Sequence, residues 1–154
     1  MMKSMIMENG VTFKELEKNI YAWICEIGRQ FTQEFLERYD RLLMESRDKK
    51  KYRNKGLRQT TVKTVYGEVT YQRAVYEVIE EDGTRHFVYL LDETLDLANV
   101  GLISTNMAEL LVKGITELSY RECAAKVSEM TGQTISAMGV WNVIQALGEK
   151  ICEE

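Results

Sequence analysis

The chain has 154 residues and a formal net charge of −4, with 45% hydrophobic and 29% charged residues. This composition is ordinary for a globular protein and excludes a disordered or fibrous chain. No stretch approaches the roughly 18 apolar residues of a membrane span, and the N-terminus lacks the residue order of a secretory signal, so we expect a cytoplasmic protein without membrane contact.

The first predicted element is a long helix that begins at Thr12 and extends to about Ser46. Thr12 and Glu15 have the spacing of a capping box, and apolar side chains then recur every three or four residues. At about 1.5 Å per residue this helix would overhang a domain of this size. We therefore expect it to bend at Gly28 or to pair with a second copy, which predicts a homodimer; alternatively, its aromatic stripe packs under the sheet that follows.

A basic run follows the helix at residues 47–63. It holds eight of the 20 basic residues against one acid, a local charge of +7, which leaves −11 for the remaining residues. A polyanion can dock on such a run while the rest repels it, which is typical of nucleic-acid-binding proteins; a solvated linker is the alternative. The side chains predicted to contact phosphates are Arg47, Lys49, Lys50, Lys51, Arg53, Lys55, Arg58 and Lys63, with Arg73 further along.

After the basic run, the period of the apolar residues changes from that of a helix to the two-residue period of a strand. Segments rich in Val, Thr, Tyr and Phe at residues 60–66, 68–78 and 84–91 predict a three-stranded antiparallel meander. We expect its aromatic residues in the core rather than stacked on bases. The acids after the sheet, Asp92, Glu93 and Asp96, indicate a solvated turn rather than a metal site. With three separated cysteines and one histidine in the chain, we expect no metal and no cofactor.

Three helical patterns close the chain, and each begins with a capping residue. The predicted caps are Ser104 or Thr105, Ser119 in a box with Glu122, and Ser136, while Gly132 ends the second helix. In the third helix, Val140 and Val143 belong to a buried side, which places Met138, Asn142 and Gln145 on the opposite, exposed side.

That exposed side has the chemistry of a helix-turn-helix reader of the DNA major groove. Asn142 and Gln145 can pair bidentately with adenine, and Met138 can contact a thymine methyl group. Thr134 and Ser136, near the helix N-terminus, are predicted to donate to phosphates. A plain helical bundle, which would show the same apolar pattern, is the alternative.

The sequence thus predicts an α+β chain with three parts. Residues 1–58 form a long helix plus a basic linker, residues 59–97 an antiparallel β-meander, and residues 98–154 a tri-helical, helix-turn-helix-like unit.

Several ordered motifs, at residues 44–56, 63–69, 91–97, 119–125 and 132–148, resemble the N-terminal region of ISLre-type insertion-sequence transposases. The resemblance implies a DNA-binding region that recognises the terminal inverted repeats of a transposon in double-stranded DNA. It also implies that the three catalytic carboxylates of the DDE arrangement, which hold two divalent ions, lie downstream, so that this chain binds DNA without cutting it. A stand-alone helix-turn-helix regulator and a protein-interaction module built on the long helix are the alternatives.

Overall fold

A computed structural model describes residues 12–80, 82–97 and 103–153, with side chains described as far as residue 149. The first element, α1, spans Phe13–Ser46 and is 34 residues long. Thr12 and Glu15 form the predicted capping box at its start. The helix continues through Gly28 without interruption, and the missing Cβ of this glycine leaves room for the ring of Tyr66.

The next three elements form the predicted antiparallel meander. Its strands are β1 (Tyr52–Thr64), β2 (Gly67–Ile79) and β3 (Arg85–Val88), in the order β1-β2-β3. Strand β1 begins eight residues earlier than expected, so the prediction of a basic linker up to residue 58 was wrong. The strand forms there because residues 52–58 pair with β2, although lysine, asparagine and glycine have low strand propensity.

A β-bulge interrupts the pairing of β1 with β2 between Asn54 and Leu57. Gly56 lies in this bulge with φ of +101°, a backbone conformation that favours glycine. The other end of β1 is joined to β2 by a turn of two residues, Val65 and Tyr66.

Helix α1 packs along β2 where β3 no longer covers it. Strand β3 pairs only with residues 76–79 of β2, and carboxylates of α1 accept from the backbone amides beyond that point. Asp40 Oδ2 accepts from the amide of Ala74 at 2.9 Å, and Glu37 Oε1 accepts from the amide of Gln72 at 3.2 Å. These bonds satisfy strand amides that would otherwise lack partners. A core of Leu36, Val62, Val69, Tyr71 and Leu91 fills the space between helix and sheet.

A short helix, α2 (Leu90–Leu95), follows the sheet in the region expected to be an extended strand end and an acidic turn. Its Asp92 is buried rather than solvated, because it forms an ion pair with Arg73 of β2. Burial raises the pKa of the neighbouring Asp40, while the Ala74 amide and the Arg73 charge lower it. The expectation of a solvated turn was therefore wrong at Asp92, since a charge can be buried only with a partner.

Three helices, α3 (Thr105–Glu117), α4 (Tyr120–Thr131) and α5 (Ala137–Glu153), form a second core. Ser104 and Ser119 cap α3 and α4, and Ser136 Oγ accepts from the amide of Gly139 at the start of α5, as predicted. Gly132, with φ of +65°, ends α4. The core side chains are Met107, Ala108, Leu111, Cys123, Ala124, Val127, Ile135, Val140 and Val143.

The helical unit docks on the end of the β1–β2 hairpin. The backbone amide of Ser104 donates to the carbonyl of Lys63 at 2.9 Å, and Gln133 Nε2 donates to the carbonyl of Thr64 at 2.6 Å. Val65 packs against the helical core. These contacts fix the start of α5 close to the last residues of β1. Of the helices that the structure describes, none has the length and hydropathy to span a membrane.

Candidate nucleic-acid interface

The basic run begins in the turn that joins α1 to β1. Asp48 organises this turn, because its Oδ1 accepts from the amide of Lys50 at 2.8 Å and its carbonyl accepts from the amide of Tyr52 at 2.9 Å. The side chains of Lys49, Lys50 and Lys51 are all exposed. A single aspartate thus holds three adjacent ammonium groups on a tight turn, where a duplex backbone can reach them.

The run continues along the exposed part of β1. Arg53 lies opposite Glu77 and Arg58 lies opposite Arg73, and both cations are exposed. Directly paired residues point to one face of a sheet, and positions 73 and 77 of β2 share a face, so Arg53 and Arg58 do as well. The turn and this face together carry five exposed cations that form no ion pair with a described carboxylate. They are Lys49, Lys50, Lys51, Arg53 and Arg58; we call them the basic end of the sheet.

Lys55 is exposed but already paired with a carboxylate of the protein. Its Nζ lies 2.9 Å from Glu77 Oε2, while its own side chain is 45% exposed. The Lys55 ammonium holds the pKa of Glu77 below its ordinary value, with smaller contributions from Arg85 and Arg53. Lys55 can therefore reach a phosphate only in competition with Glu77.

Arg47 was predicted to contact phosphate, but the structure uses it at the end of α1. Its guanidinium donates to the carbonyls of Met44 and Tyr52 and lies 5.3 Å from the centre of the Tyr76 ring. Basic side chains commonly satisfy the last carbonyls of a helix, which otherwise lack donors. Because its guanidinium is bonded within the protein, the structure does not support Arg47 as a phosphate contact.

Lys63 is also engaged inside the protein. Its Nζ donates to the carbonyl of Thr134 at 2.7 Å and lies 3.3 Å from Glu68 Oε1. The first contact joins β1 to the segment that precedes α5. This lysine, predicted as a phosphate contact, is instead part of the docking between sheet and helical unit.

Arg73 is the third predicted phosphate contact that the structure places elsewhere. It pairs with Asp92 and lies 3.9 Å from the centre of the Tyr89 ring, with only 12% of its side chain exposed. Since a buried charge without its partner is costly, this guanidinium is held by the protein core. We therefore remove Arg73 from the candidate interface, together with Arg47 and Lys63.

The second part of the interface is the outward side of α5. Met138, Asn142 and Gln145 are all exposed, with Met138 at 64%, while Val140 and Val143 on the other side are buried. The hydroxyl of Ser136 accepts from the Gly139 amide and keeps its own proton for a phosphate oxygen. Thr134 is likewise exposed. The geometry leaves all five of these predicted groups open to a ligand.

Two features of this region were not predicted from the sequence. Ser128 bridges the α4–α5 connection, since its hydroxyl accepts from the Ile135 amide at 2.9 Å and donates to the Ile135 carbonyl at 3.2 Å. In addition, Tyr120 and Trp141 lie with Met138 around a shallow apolar depression beside the start of α5. A serine eight residues before a predicted cap carries no local sign of such a bridge, whereas an exposed aromatic at helical spacing could have been noted.

In the part of the chain that the structure describes, no group of three or more His, Cys, Asp or Glu side chains is arranged to hold a metal ion. The buried aspartates Asp40 and Asp92 are both used in packing α1 and α2 on the sheet.

Comparison with known proteins gives a family match. The model of an uncharacterised protein family, UPF0236, matches residues 6–152. The relatives include three UPF0236 proteins of Caldanaerobacter subterraneus subsp. tengcongensis. The first, 28% identical over 145 residues, carries in its name TTE0033 and ten further locus numbers; the others, each 27% identical, are TTE2489 and a protein named for TTE0610 and three more loci.

The matches cover 94% of this chain but only 30% of each of these relatives, so the chain spans about a third of their length. No solved structure matches the chain.

Proposed function

This chain belongs to the uncharacterised protein family UPF0236, and we propose that it is the DNA-binding region of a transposase-like protein of a mobile element. In this proposal the chain grips double-stranded DNA at the element's terminal inverted repeats. In the same proposal, cleavage and joining of DNA belong to the part of the relatives' length that the match does not cover.

One observation carries the proposal: five exposed cations are gathered at the basic end of a sheet in an otherwise acidic protein. Two acids next to them are occupied, since Asp48 accepts from backbone amides and Glu77 is paired with Lys55. Cations in this state release counterions from DNA when they meet phosphates, which is the main source of sequence-independent affinity.

The spacing of the two contact regions supports a single duplex as ligand. Arg53 and Lys63 pair with residues nine positions apart on β2, roughly 30 Å at about 3.3 Å per residue. Lys63 contacts Thr134, which lies close to the start of α5. One turn of B-DNA is about 34 Å long, so a duplex that ran along β1 with α5 in its major groove would present phosphates again near the basic end.

The occurrence of relatives at many loci supports the mobile-element part of the proposal. The name of one relative joins eleven loci of a single genome, and further relatives come from the same genome. Repetition of this kind is typical of families associated with mobile elements, and it agrees with the resemblance to insertion-sequence transposases.

The salt dependence of binding tests the basic end. We expect Lys49→Ala, Lys50→Ala and Lys51→Ala together to weaken binding to every duplex and to lower the slope of log affinity against log salt by roughly 2 to 3. Fluorescence anisotropy over a salt series measures both. The control replaces Lys14, Lys18 and Arg41, three exposed cations of α1, and should leave the slope unchanged. An unchanged slope in the first variant would remove the basic end from the interface.

Base reading by α5 needs a different experiment. A duplex is first selected from a random library by binding to the chain. Asn142→Ala should then lose about 1 to 3 kcal/mol of binding free energy for the selected duplex and little for random DNA. Asn106→Ala, at an exposed position of α3, is the matched control. Equal losses on both duplexes would contradict a base-reading role.

A further inference from the structure

Helix α1 carries a second apolar surface, on the side that does not face the sheet. Counting about 100° per residue from Phe13 places ten residues of the helix within a sector of about 80°. Seven of them are apolar and between 44% and 77% exposed: Phe13, Ile20, Ile24, Ile27, Phe31, Phe35 and Leu42. We call these seven residues the apolar stripe.

The apolar stripe is separate from the surface that packs on the sheet. Leu36 and Asp40, the two buried residues of α1, lie about 140° and 180° round the helix from Phe13. The stripe is roughly 44 Å long, and exposed apolar surface of this extent marks an interaction site in a protein of this size.

Six of the seven residues of the stripe lie in pairs about its midpoint, between residues 27 and 28. Phe13 and Leu42 lie at equal distances from that point, as do Ile20 and Phe35, and Ile24 and Phe31. The other three residues of the sector are charged: Glu17, Arg38 and Glu45. Glu17 and Arg38 also lie at equal distances from the midpoint, and their charges are opposite, whereas Glu45 lies beyond the end of the stripe.

We propose that the apolar stripe binds the same stripe of a second copy of this chain, antiparallel, about a two-fold axis near residues 27 and 28. In a two-fold interface residue i meets residue j and residue j meets residue i, so the three apolar pairs meet across the axis, while Ile27 lies next to the axis, opposite Gly28 of the other copy. Glu17 of each copy meets Arg38 of the other, at both ends of the interface. This inference goes beyond DNA binding, since no residue of the stripe belongs to the basic end or to α5.

The antiparallel arrangement brings opposite charges together, and the stripe is large enough for a stable interface. A parallel pair would place Glu17 against Glu17 and Arg38 against Arg38, and like charges that face one another are unfavourable. The exposed pair that Arg38 makes with Glu34 of its own helix, at 2.5 Å, contributes little and is easily exchanged. The stripe exposes on the order of 1,000 Å² of apolar surface, comparable with the roughly 800 Å² per partner of a stable interface.

The first experiment measures association of the full 154-residue chain by sedimentation over a range of micromolar concentrations. We expect the wild type to be a dimer and Phe31→Asp to raise its Kd at least about 100-fold, because the aspartate lies in the middle of the apolar contact. Phe87→Asp on β3 is the matched control, since Phe87 and Phe31 are 64% and 69% exposed, and it should leave the dimer intact. Circular dichroism checks that both variants fold. A monomeric wild type, or equal effects of the two variants, would overturn the proposal.

The second experiment determines orientation by charge reversal. In the antiparallel dimer, Glu17→Arg or Arg38→Glu places like charges in contact twice and should weaken the dimer about tenfold, whereas the double variant should restore the wild-type Kd. In a parallel dimer each single change replaces one like-charged pair by another, so neither loss nor rescue would occur. A dimer that the double variant fails to restore would rule out the antiparallel arrangement.

Discussion

Both ends of strand β1 carry basic residues, but these residues have opposite roles at the two ends. At the basic end, Arg53 and Arg58 are exposed and form no ion pair with a described carboxylate. At the other end, Val62 and Thr64 are buried and Lys63 is bonded to Thr134. Both ends pair with the same strand. What differs is the surroundings of the strand: the helical unit contacts the last residues of β1, whereas the side chains of Arg53 and Arg58 near its start stay exposed.

The same contrast occurs across the two strands. Arg58 and Arg73 lie directly opposite one another, an arrangement that two free cations would disfavour. Asp92 neutralises Arg73 within the core, which leaves Arg58 as the exposed charge of the pair. A count of basic residues in the sequence therefore overstates the charge that DNA can meet, and the partners of each cation decide its role.

The largest expected effect is on stability, and it comes from replacing Arg73, the buried member of this pair. Arg73→Ala leaves the carboxylate of Asp92 buried without its partner, and we expect it to lower the free energy of unfolding by about 3 to 5 kcal/mol. Arg58→Ala should change stability by less than about 0.5 kcal/mol and still weaken DNA binding. Urea denaturation and anisotropy measure the two properties separately.

The control for Arg73 removes both charges. The double variant Arg73→Met with Asp92→Leu should recover a substantial part of the stability, because replacing both members of a buried pair avoids an unpaired charge. If Arg73→Ala were as stable as the wild type, or if Arg58→Ala were the more destabilised of the two, the assignment of Arg73 to the core and of Arg58 to the interface would be wrong.

Local features of the fold could be predicted from the sequence. The caps at Thr12, Ser104, Ser119 and Ser136 depend on side chains within three residues of the amides they bind, so spacing alone identifies them. The meander and the exposed side of α5 follow from the period of the apolar residues, which changes from two to 3.6 along the chain.

Features that depend on distant partners could not be predicted in this way. Residues 52–58 lack the alternation of a strand and extend β1 only because β2 pairs with them. The internal roles of Lys63 and Arg73 depend on Thr134 and Asp92, which lie 71 and 19 residues further along the chain. For the candidate interface, the sequence therefore identified which residues carry charge but not which of them the fold would occupy.

A smaller effect on stability is expected at the end of β1 that contacts the helical unit. Lys63→Ala removes the bond to the Thr134 carbonyl, and since the lysine is about one-third exposed we expect a loss of about 1 to 2 kcal/mol in the free energy of unfolding. Glu68→Gln, which removes the other partner of Lys63 and keeps the Thr134 bond, should cost less than about 0.5 kcal/mol.

The DNA-binding properties of the same two variants sharpen the contrast. Because Lys63 is occupied in the folded protein, its removal should leave the salt dependence of DNA binding unchanged, in contrast to the loss of the three lysines of the α1–β1 turn. A decrease in slope of about 1 in Lys63→Ala would instead restore Lys63 to the set of phosphate contacts.

The smallest expected effect is a pH dependence at the basic end, where Glu77 holds Lys55. Lys55 keeps the pKa of Glu77 below its ordinary value, so this carboxylate contributes stability above its unfolded-state pKa and loses that contribution as the pH falls through its lower, folded-state pKa. Acidification should therefore destabilise the wild type more than Glu77→Gln or Lys55→Ala, as urea midpoints over a pH series would measure. At neutral pH, Glu77→Gln frees Lys55 for phosphate and should slightly increase DNA affinity, whereas parallel pH profiles and unchanged affinity would mean that the ion pair has no part in either property.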